Sequence, residues 1–219
     1  MIRIVFEDDN LLIVDKPPGL QTEPDRNNHP NLLDELIKNY PRSRSGSLFL
    51  INRLDRPTGG LIVLSKKKSL CAKWQNAWNT SQIRKFYHAV VQGIFESNEQ
   101  TLSHFLWKDH KNFKAIISTE KLSEQHKHCQ LHYKVVQQNN DHSLLEIELL
   151  TGRYHQIRAQ LSYIGHPVWN DSLYGANAVI SEKIIGLYCT GLSIHVEGLL
   201  IGSYNCNPFN HSAFRPFEK

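Results

Sequence analysis

Short alternations of apolar and polar residues, separated by turn-forming residues, run along most of the chain. The pattern predicts strands near residues 2–6, 11–15, 48–51, 61–64, 86–91, 131–136, 144–149, 187–196 and 199–204. The dipeptide Glu197-Gly198 separates the last two and predicts a hairpin turn. So many short strands favour a fold built on a β-sheet.

Three stretches have the spacing of apolar residues that is typical of amphipathic helices. The first runs from Leu32 to about Tyr40, after Asn31, which is a good N-cap residue. The second follows Ser65, which we expect to cap it, and the third spans about residues 154–164. Many strands with about three helices predict an α+β fold with a mainly antiparallel sheet.

The composition is that of an ordinary globular protein. Hydrophobic residues make up 40% and charged residues 21% of the 219 residues, which argues against a disordered chain, a collagen and a coiled coil. No uninterrupted apolar run exceeds four residues, so we expect no membrane span and no membrane partner. Acidic residues at positions 7–9 stand where a secretory signal would be apolar. A cytoplasmic location is therefore expected.

The four cysteines, Cys71, Cys129, Cys189 and Cys206, lie far apart and form no C-x-x-C motif. We expect reduced, mostly buried thiols. The segment 126–129 (H-K-H-C) contains metal-ligating residue types, but the chain has no second cluster at a zinc-finger spacing. The sequence therefore predicts no metal site.

Basic residues are concentrated between Arg42 and His88. This segment holds ten Lys or Arg residues and one acid, Asp55, whereas the rest of the chain has a net charge of −5. Such a cluster is typical of a surface that binds nucleic acid or another polyanion, although a solvated basic surface has the same composition. The lone carboxylate is the more informative feature, because a solvated basic surface does not explain it. A turn-capping role for Asp55, or a surface ion pair with Arg53 or Arg56, is the plainer alternative to a catalytic role.

Three further features are candidates for chemistry. Tyr87 lies on a predicted strand, where a half-buried sheet tyrosine is the ordinary outcome. Arg158 follows the core-facing Ile157 on the third helix, so its side chain is placed to reach inward or to remain solvated. The turn at residues 152–156 enters that helix, and its backbone N–H groups would suit an anion.

Four segments resemble, in the same order, the motifs of the RluA-type RNA pseudouridine synthases. They are residues 13–19 (I-V-D-K-P-P-G, with the K-P-x-G turn), 52–61 (N-R-L-D-R-P-T-G-G-L, for H-R-L-D-x-x-T-S-G-L), 84–93 (R-K-F-Y-H-A-V-V-Q-G, for K-x-Y-x-A-x-V-x-G) and 152–161 (G-R-Y-H-Q-I-R-A-Q-L, for G-R-x-H-Q-I-R). The resemblance covers about residues 2–205. It departs from the family pattern at Asn52, where histidine is usual, and at Gly59, where serine is usual.

The resemblance implies a role for each matching residue. Asp55 is implied to be the catalytic carboxylate, and Arg158 to pair with it and hold it ionised. Tyr87 is implied to stack near the target uracil and to serve as a base. Arg53 is implied to help flip the target nucleotide, and Ile157 to pack beside the base.

The remaining candidates are predicted to bind RNA: Arg56, Lys66, Lys67, Lys68, Arg153 and His155. The lysines are expected to touch phosphate. The family fold implies a curved, mixed, mostly antiparallel sheet with a few flanking helices and a central active-site cleft. It also implies ribosomal or transfer RNA as the partner, no protein partner and no cofactor.

We expect one catalytic domain over residues 1–219 without a separate N-terminal RNA-binding domain, because the family pattern begins at residue 2. Two alternatives remain open. The departures at Asn52 and Gly59 fit a catalytically degenerate RNA-binding module of the same fold. An unrelated hydrolase that uses Asp55 as nucleophile is the other, but the sequence offers no second carboxylate beside Asp55, which glycoside hydrolysis usually needs.

Overall fold

The computed structural model describes residues 2–39, 48–181 and 183–217. These residues form two compact units. The first contains residues 2–39, 48–84, 183–184 and 188–208, and the second contains residues 85–181, 185–187 and 209–217.

Eleven strands and three α-helices lie within the described residues. The strands are β1 (Arg3–Glu7), β2 (Leu11–Lys16), β3 (Phe49–Leu50), β4 (Gly59–Ser65), β5 (Ile83–Gln92), β6 (Glu99–Asp109), β7 (Lys114–Ser118), β8 (Lys127–Gln138), β9 (His142–Leu149), β10 (Leu187–Val196) and β11 (Leu200–Asn205). The helices are α1 (Leu32–Asn39), α2 (Cys71–Trp78) and α3 (Gln156–Tyr163).

The first unit is built on a mixed sheet with the strand order β1-β2-β4-β10. β11 pairs with β10, and β3 pairs with β4. β10 runs parallel to β4, with Tyr188 opposite Gly59, whereas the other pairs of this unit are antiparallel. Residues 11–14 and 61–64 are fully buried, as expected for central strands covered on both faces.

The second unit carries the antiparallel strand order β5-β9-β8-β6-β7. Helix α3 packs on one face of this sheet, where Ala159 meets Leu106, Ala115, Cys129 and Tyr174. The helix therefore has a buried side along most of its length, and Gly165 follows its end with the positive φ of 88° that favours glycine.

The α+β class with a mixed, mostly antiparallel sheet is confirmed, whereas the central cleft and the single catalytic domain stay predictions. The N-cap of α1 is also confirmed, because Asn31 Oδ1 accepts a hydrogen bond of 3.0 Å from Asp34 N–H. The predicted end of this helix at Tyr40 lies outside the described residues. The hairpin at Glu197-Gly198 joins β10 and β11 as expected.

The cap predicted at Ser65 is wrong. Ser65 is still part of β4, and its hydroxyl bonds to the backbone of Lys67. Helix α2 begins only at Cys71, after a short 3-10 turn. Cys129, Cys189 and Cys206 are buried, and Cys71 is half-buried. Within the described ranges, the longest apolar helices fall short of what a membrane span requires.

Candidate active site

The loop that carries Asp55 lies in the first unit, between β3 and β4. The Asp55 carbonyl accepts a hydrogen bond of 3.0 Å from Thr58 N–H, which closes a turn around the half-buried carboxylate. On the other side, the Thr22 hydroxyl donates to the Leu54 carbonyl at 2.8 Å and accepts from Leu54 N–H at 3.3 Å. Asp55 is thus presented from a loop whose backbone is held on both sides.

Asn52 anchors this loop to the buried strand β4. Its Oδ1 accepts a hydrogen bond of 2.7 Å from Val63 N–H, and its Nδ2 donates to the Leu61 carbonyl at 3.2 Å. The side chain therefore replaces a backbone partner of β4, and it is only 5% exposed. The departure from the family's histidine is explained by this double contact, which a planar amide makes with one donor and one acceptor at its tip.

Lys16, the last residue of β2, contacts this loop, and its side chain is completely enclosed. Its Nζ donates to the carbonyls of Leu20 at 2.7 Å, Pro17 at 3.0 Å and Arg56 at 3.4 Å. Burial lowers the pKa of Lys16 to about 7, although the negative charge of Asp55 acts in the opposite direction. The sequence places Lys16 in a recognisable motif, but gives no sign that its ammonium is buried beside the candidate carboxylate.

The two arginines that flank Asp55 have different surroundings. Arg56 Nε donates to the Gly19 carbonyl at 3.0 Å, and Gly19 N–H donates to the Arg56 carbonyl at 2.8 Å. This reciprocal pair joins the K-P-P-G turn to the loop that carries Asp55. Arg53 is exposed and forms an ion pair of 2.6 Å with Glu23, and its predicted role in flipping the nucleotide stays a prediction.

The second departure from the family pattern, Gly59, also has a physical cause. A Cβ built on Gly59 would overlap the ring of Tyr188, because that ring occupies the place of a serine side chain. The Tyr188 hydroxyl donates to Asp15 Oδ1 at 2.7 Å, and Arg3 binds the other carboxylate oxygen at 2.8 Å. Burial raises the pKa of Tyr188 far above its usual range, so this hydroxyl keeps its proton.

The three consecutive lysines are not equivalent. Lys66 is paired with Glu7 at 2.7 Å and donates to the Asp8 carbonyl, whereas Lys67 donates to Asn10 Oδ1. Lys68 is exposed at the start of the 3-10 turn. Their contacts with phosphate stay a prediction. To bind a phosphate, Lys66 would have to give up its ion pair with the Glu7 carboxylate.

Tyr87 and Ile157 belong to the second unit and are both buried. Tyr87 is 6% exposed on β5, directly opposite Ile147 of β9, which in turn faces Tyr133 of β8. Ile157 is 4% exposed on α3. The sheet register therefore fixes the tyrosine on the apolar face of this unit.

Arg158 is buried in the same unit, in agreement with its position next to Ile157. It binds Asp171 in a bidentate manner, with Nε to Oδ2 at 2.6 Å and Nη2 to Oδ1 at 2.9 Å. The ring of Tyr174 lies 5.0 Å from its guanidinium carbon. The sequence analysis did not identify Asp171, which stands thirteen residues further along the chain.

The turn that precedes α3 uses part of its polar atoms internally. Arg153 N–H donates to Gln156 Oε1 at 3.0 Å, and the Arg153 Nε donates to the His128 carbonyl. His155 has the left-handed backbone of the residue before the helix (φ 49°), its ring stacks on Tyr154, and its Nδ1 lies 3.1 Å from the Tyr174 hydroxyl. The predicted RNA contacts of Arg153 and His155 stay predictions.

The candidates thus fall into two groups. Asp55, Arg53, Arg56 and the lysines 66–68 belong to the first unit, whereas Tyr87, Arg153, His155, Ile157 and Arg158 belong to the second. The pairing of Arg158 with Asp55 remains a prediction. In the part of the chain that the structure describes, no group of three or more His, Cys, Asp or Glu side chains is arranged to hold a metal.

Comparisons with known proteins identify the family. The family model for RNA pseudouridylate synthases matches residues 10–163. Ribosomal large subunit pseudouridine synthase D of Nitrosomonas europaea is 34% identical over 179 residues, which is 80% of this chain and 50% of that protein. Ribosomal large subunit pseudouridine synthase C of Vibrio cholerae is 30% identical over 172 residues, or 78% of this chain and 52% of that protein.

Solved structures agree on the fold. The human RNA Pseudouridylate Synthase Domain Containing 1 superposes with a TM-score of 0.80 at 20% identity, over 95% of this chain and 84% of that one. The chain spans about half the length of the curated relatives it matches. Motif order, fold and similarity agree, and the chain belongs to the RluA-type family of RNA pseudouridine synthases.

Proposed function

We propose that this protein converts a specific uridine of ribosomal or transfer RNA into pseudouridine, without a cofactor, and that Asp55 is the catalytic carboxylate. The observation that carries the proposal is the construction of the Asp55 loop. A half-buried carboxylate stands in the most basic part of the chain, on a backbone held by Asn52, Thr22 and Lys16. Preorganisation of this kind is typical of catalytic groups.

The reaction breaks the N1–C1′ bond of uridine and forms a C5–C1′ bond, after which the C5 proton is removed and N1 is protonated. No atom is oxidised and no group enters from outside. The uracil released in the first step is a stabilised anion, so a metal or organic cofactor is not required. Asp55 acts either as a nucleophile on C1′ or as a base that starts glycal formation, and both routes remain open.

Arg158 and Tyr87 complete the proposed site. A guanidinium beside Asp55 favours the carboxylate form, which either route requires. Tyr87 is proposed to stack near the target uracil and to remove the C5 proton after the base has rejoined the sugar, with Ile157 beside the base. The burial of Tyr87, at 6% exposure, suits a group that acts in a water-poor site.

The target uridine must leave its stack to reach such a site, and this costs a few kcal/mol that contacts with the RNA backbone must offset. Arg53 is proposed to help flip the nucleotide, with Arg56, Lys66, Lys67, Lys68, Arg153 and His155 as further RNA contacts. Because the two relatives are ribosomal large subunit pseudouridine synthases, large-subunit ribosomal RNA is the first substrate to test. A single catalytic domain over residues 1–219 and a cytoplasmic location are part of this proposal.

The test is release of tritium from RNA labelled at C5 of uridine, combined with mapping of pseudouridines in cells with and without the gene. Asp55→Asn is expected to lower turnover by at least about 1000-fold while RNA binding remains, because only the reacting group is removed. Asp9→Asn, an exposed acid of the same unit, is the matched control and should be fully active. Retained turnover in Asp55→Asn contradicts the assignment.

Two outcomes would favour the alternatives. RNA binding by the wild-type protein without tritium release would indicate a degenerate RNA-binding module. A product whose mass differs from that of the substrate would indicate hydrolysis instead of isomerisation.

Tyr87→Phe separates the two proposed roles of the tyrosine. A large loss of turnover supports the role as a base, and an unchanged rate leaves only the stacking role.

A further inference from the structure

The ion pair between Arg158 and Asp171 is almost completely withdrawn from solvent. The two side chains are 5% and 2% exposed, and the carboxylate meets the Nε–Nη2 edge of the guanidinium with both oxygens. Bidentate pairing of this kind fixes the plane of an arginine as well as its position. Holding two opposite charges in the interior requires good geometry, because desolvation works against the pair.

The turn that supplies Asp171 is itself tightly bonded. Asp171 N–H donates to the Val168 carbonyl at 3.0 Å, and the Asp171 carbonyl accepts from Tyr174 N–H at 2.9 Å and Ala176 N–H at 3.1 Å. Asn170 precedes it in a left-handed conformation (φ 61°), which bulkier residues rarely adopt. The backbone that carries the Asp171 side chain is therefore held in place on both sides of the residue.

Tyr174 is a second neighbour of the Arg158 guanidinium and is itself anchored. Its hydroxyl accepts a hydrogen bond of 2.7 Å from Ala115 N–H in β7, and the Tyr174 carbonyl accepts one of 2.7 Å from the Ser162 hydroxyl in α3. The Tyr174 ring lies 5.0 Å from the guanidinium carbon of Arg158. The arginine thus contacts both a carboxylate and an aromatic ring, and the tyrosine that carries the ring is tied to β7 and α3.

We propose that Asp171 is a positioning residue that fixes the guanidinium of Arg158 for the reaction, an inference that rests on the proposed function. A guanidinium has five N–H donors in one plane, and the pairing with Asp171 uses two of them. Because the plane is fixed, the direction of the other three is fixed as well. Asp171 therefore aligns Arg158 before RNA binds, and acts on catalysis only through the arginine.

The first test replaces the carboxylate by its amide. Asp171→Asn is expected to lower kcat by about 100-fold, since an amide turns an NH₂ group towards a donor-only guanidinium and displaces it. KM for RNA should change by less than about 3-fold, because the RNA contacts are untouched. Asp141→Asn, an exposed acid of the same unit, is the matched control with unchanged kcat. Asp171→Glu keeps the charge and should recover part of the loss in kcat. If Asp171→Asn fails to fold, kcat of Asp171→Glu is compared with that of the wild type instead. The proposal is overturned if Asp171→Asn raises KM and leaves kcat unchanged, or if kcat of Asp171→Glu is no higher than that of Asp171→Asn.

The second test asks whether the effect passes through Arg158. Lysine is a point charge without a fixed plane, so Arg158→Lys should make Asp171 unimportant for turnover. Asp171→Asn in the Arg158→Lys background is expected to lower kcat by less than about 3-fold. A loss of about 100-fold in both backgrounds would show a role in folding alone and would overturn the proposal.

A third measurement does not depend on turnover, so it separates this inference from the proposed function. The Nε–H signal of a buried, paired arginine exchanges slowly with water and is visible in ¹⁵N NMR spectra. The Arg158 signal, assigned by its disappearance in Arg158→Lys, should shift or vanish in Asp171→Asn and persist in Asp141→Asn. An unchanged signal contradicts the positioning role even in an active enzyme. A wild-type protein without tritium release contradicts the proposed function whatever the signal shows.

Discussion

Replacement of Asn52 by alanine tests whether the candidate loop is anchored as the structure indicates. The side chain is 5% exposed and supplies both a donor and an acceptor to β4. Alanine leaves Val63 N–H and the Leu61 carbonyl without their partner, next to strand residues that are fully buried. Each unsatisfied buried group costs about 1–3 kcal/mol, so the loss of both bonds should lower the free energy of unfolding by about 2–6 kcal/mol.

The assay is urea unfolding at pH 7, in which tryptophan fluorescence and circular dichroism monitor the transition. Thr58→Val is the control within the same loop: Thr58 is 2% exposed, and its hydroxyl has no hydrogen-bond partner among the described residues. Removing that hydroxyl should leave stability unchanged or raise it. Asn76→Ala, at an exposed position of α2, should change it by less than about 0.5 kcal/mol.

Asn52→His restores the family residue and sharpens the test. A neutral imidazole directs its donor and acceptor to opposite sides of the ring, so it should keep one of the two bonds and show about half of the alanine loss. A loss below about 0.5 kcal/mol in Asn52→Ala, or an equal loss in Thr58→Val, would refute the anchoring of the loop by this amide.

Further predictions concern stability and RNA binding. The pKa of Lys16 is about 7 in the folded protein, against an ordinary value near 10.5, so between these pH values Lys16 binds fewer protons in the folded than in the unfolded protein. The contribution of Lys16 to the free energy of unfolding therefore rises with pH in this range, by up to about 1.4 kcal/mol per pH unit. Urea unfolding from pH 6 to 9 should show this rise in the wild type but not in Lys16→Met, and parallel stability curves for the two proteins would contradict it. Gly59→Ser should lower the free energy of unfolding by about 1–3 kcal/mol through overlap with Tyr188, and by less in a Tyr188→Leu background, whereas equal losses would exclude the overlap. In RNA-binding titrations, the slope of the logarithm of the binding constant against the logarithm of the salt concentration should fall in magnitude by about 1 in Lys68→Ala. It should fall by less in Lys66→Ala, because Lys66 is paired with Glu7. Slopes equal to that of the wild type would show that these lysines are solvated surface.

The elements with a strong local signal could be predicted from the sequence. Helix α1 follows from one apolar stripe and the cap at Asn31, and the buried strand β4 follows from an uninterrupted apolar run. Strands β6 and β7 were missed, because β6 buries only Leu102 and Leu106, whose spacing of four is typical of a helix. The cap wrongly predicted at Ser65 has a similar cause: pairing with β2 and β3 keeps its backbone extended, and no local pattern indicates that pairing.

The candidate site could be predicted only as far as its motifs extend. Asp55, Tyr87 and Arg158 become candidates through motifs that resemble those of the family, whereas residue type alone leaves a structural role open for each. The partner Asp171 is not recognisable in this way, because a turn brings it to the arginine from thirteen positions away. The enclosure of Lys16 and the ring over Gly59 are likewise tertiary properties, produced by side chains that no local pattern connects.

The enclosed amine of Lys16 gives the protein a built-in reporter of loop opening. An acylating or methylating reagent reaches exposed lysines such as Lys67 directly, but it reaches Lys16 Nζ only when the three carbonyls around it separate. The extent of its modification over time therefore measures the free energy of local opening around the loop that carries Asp55. A bound RNA that steadies this loop should protect Lys16 without ever contacting it.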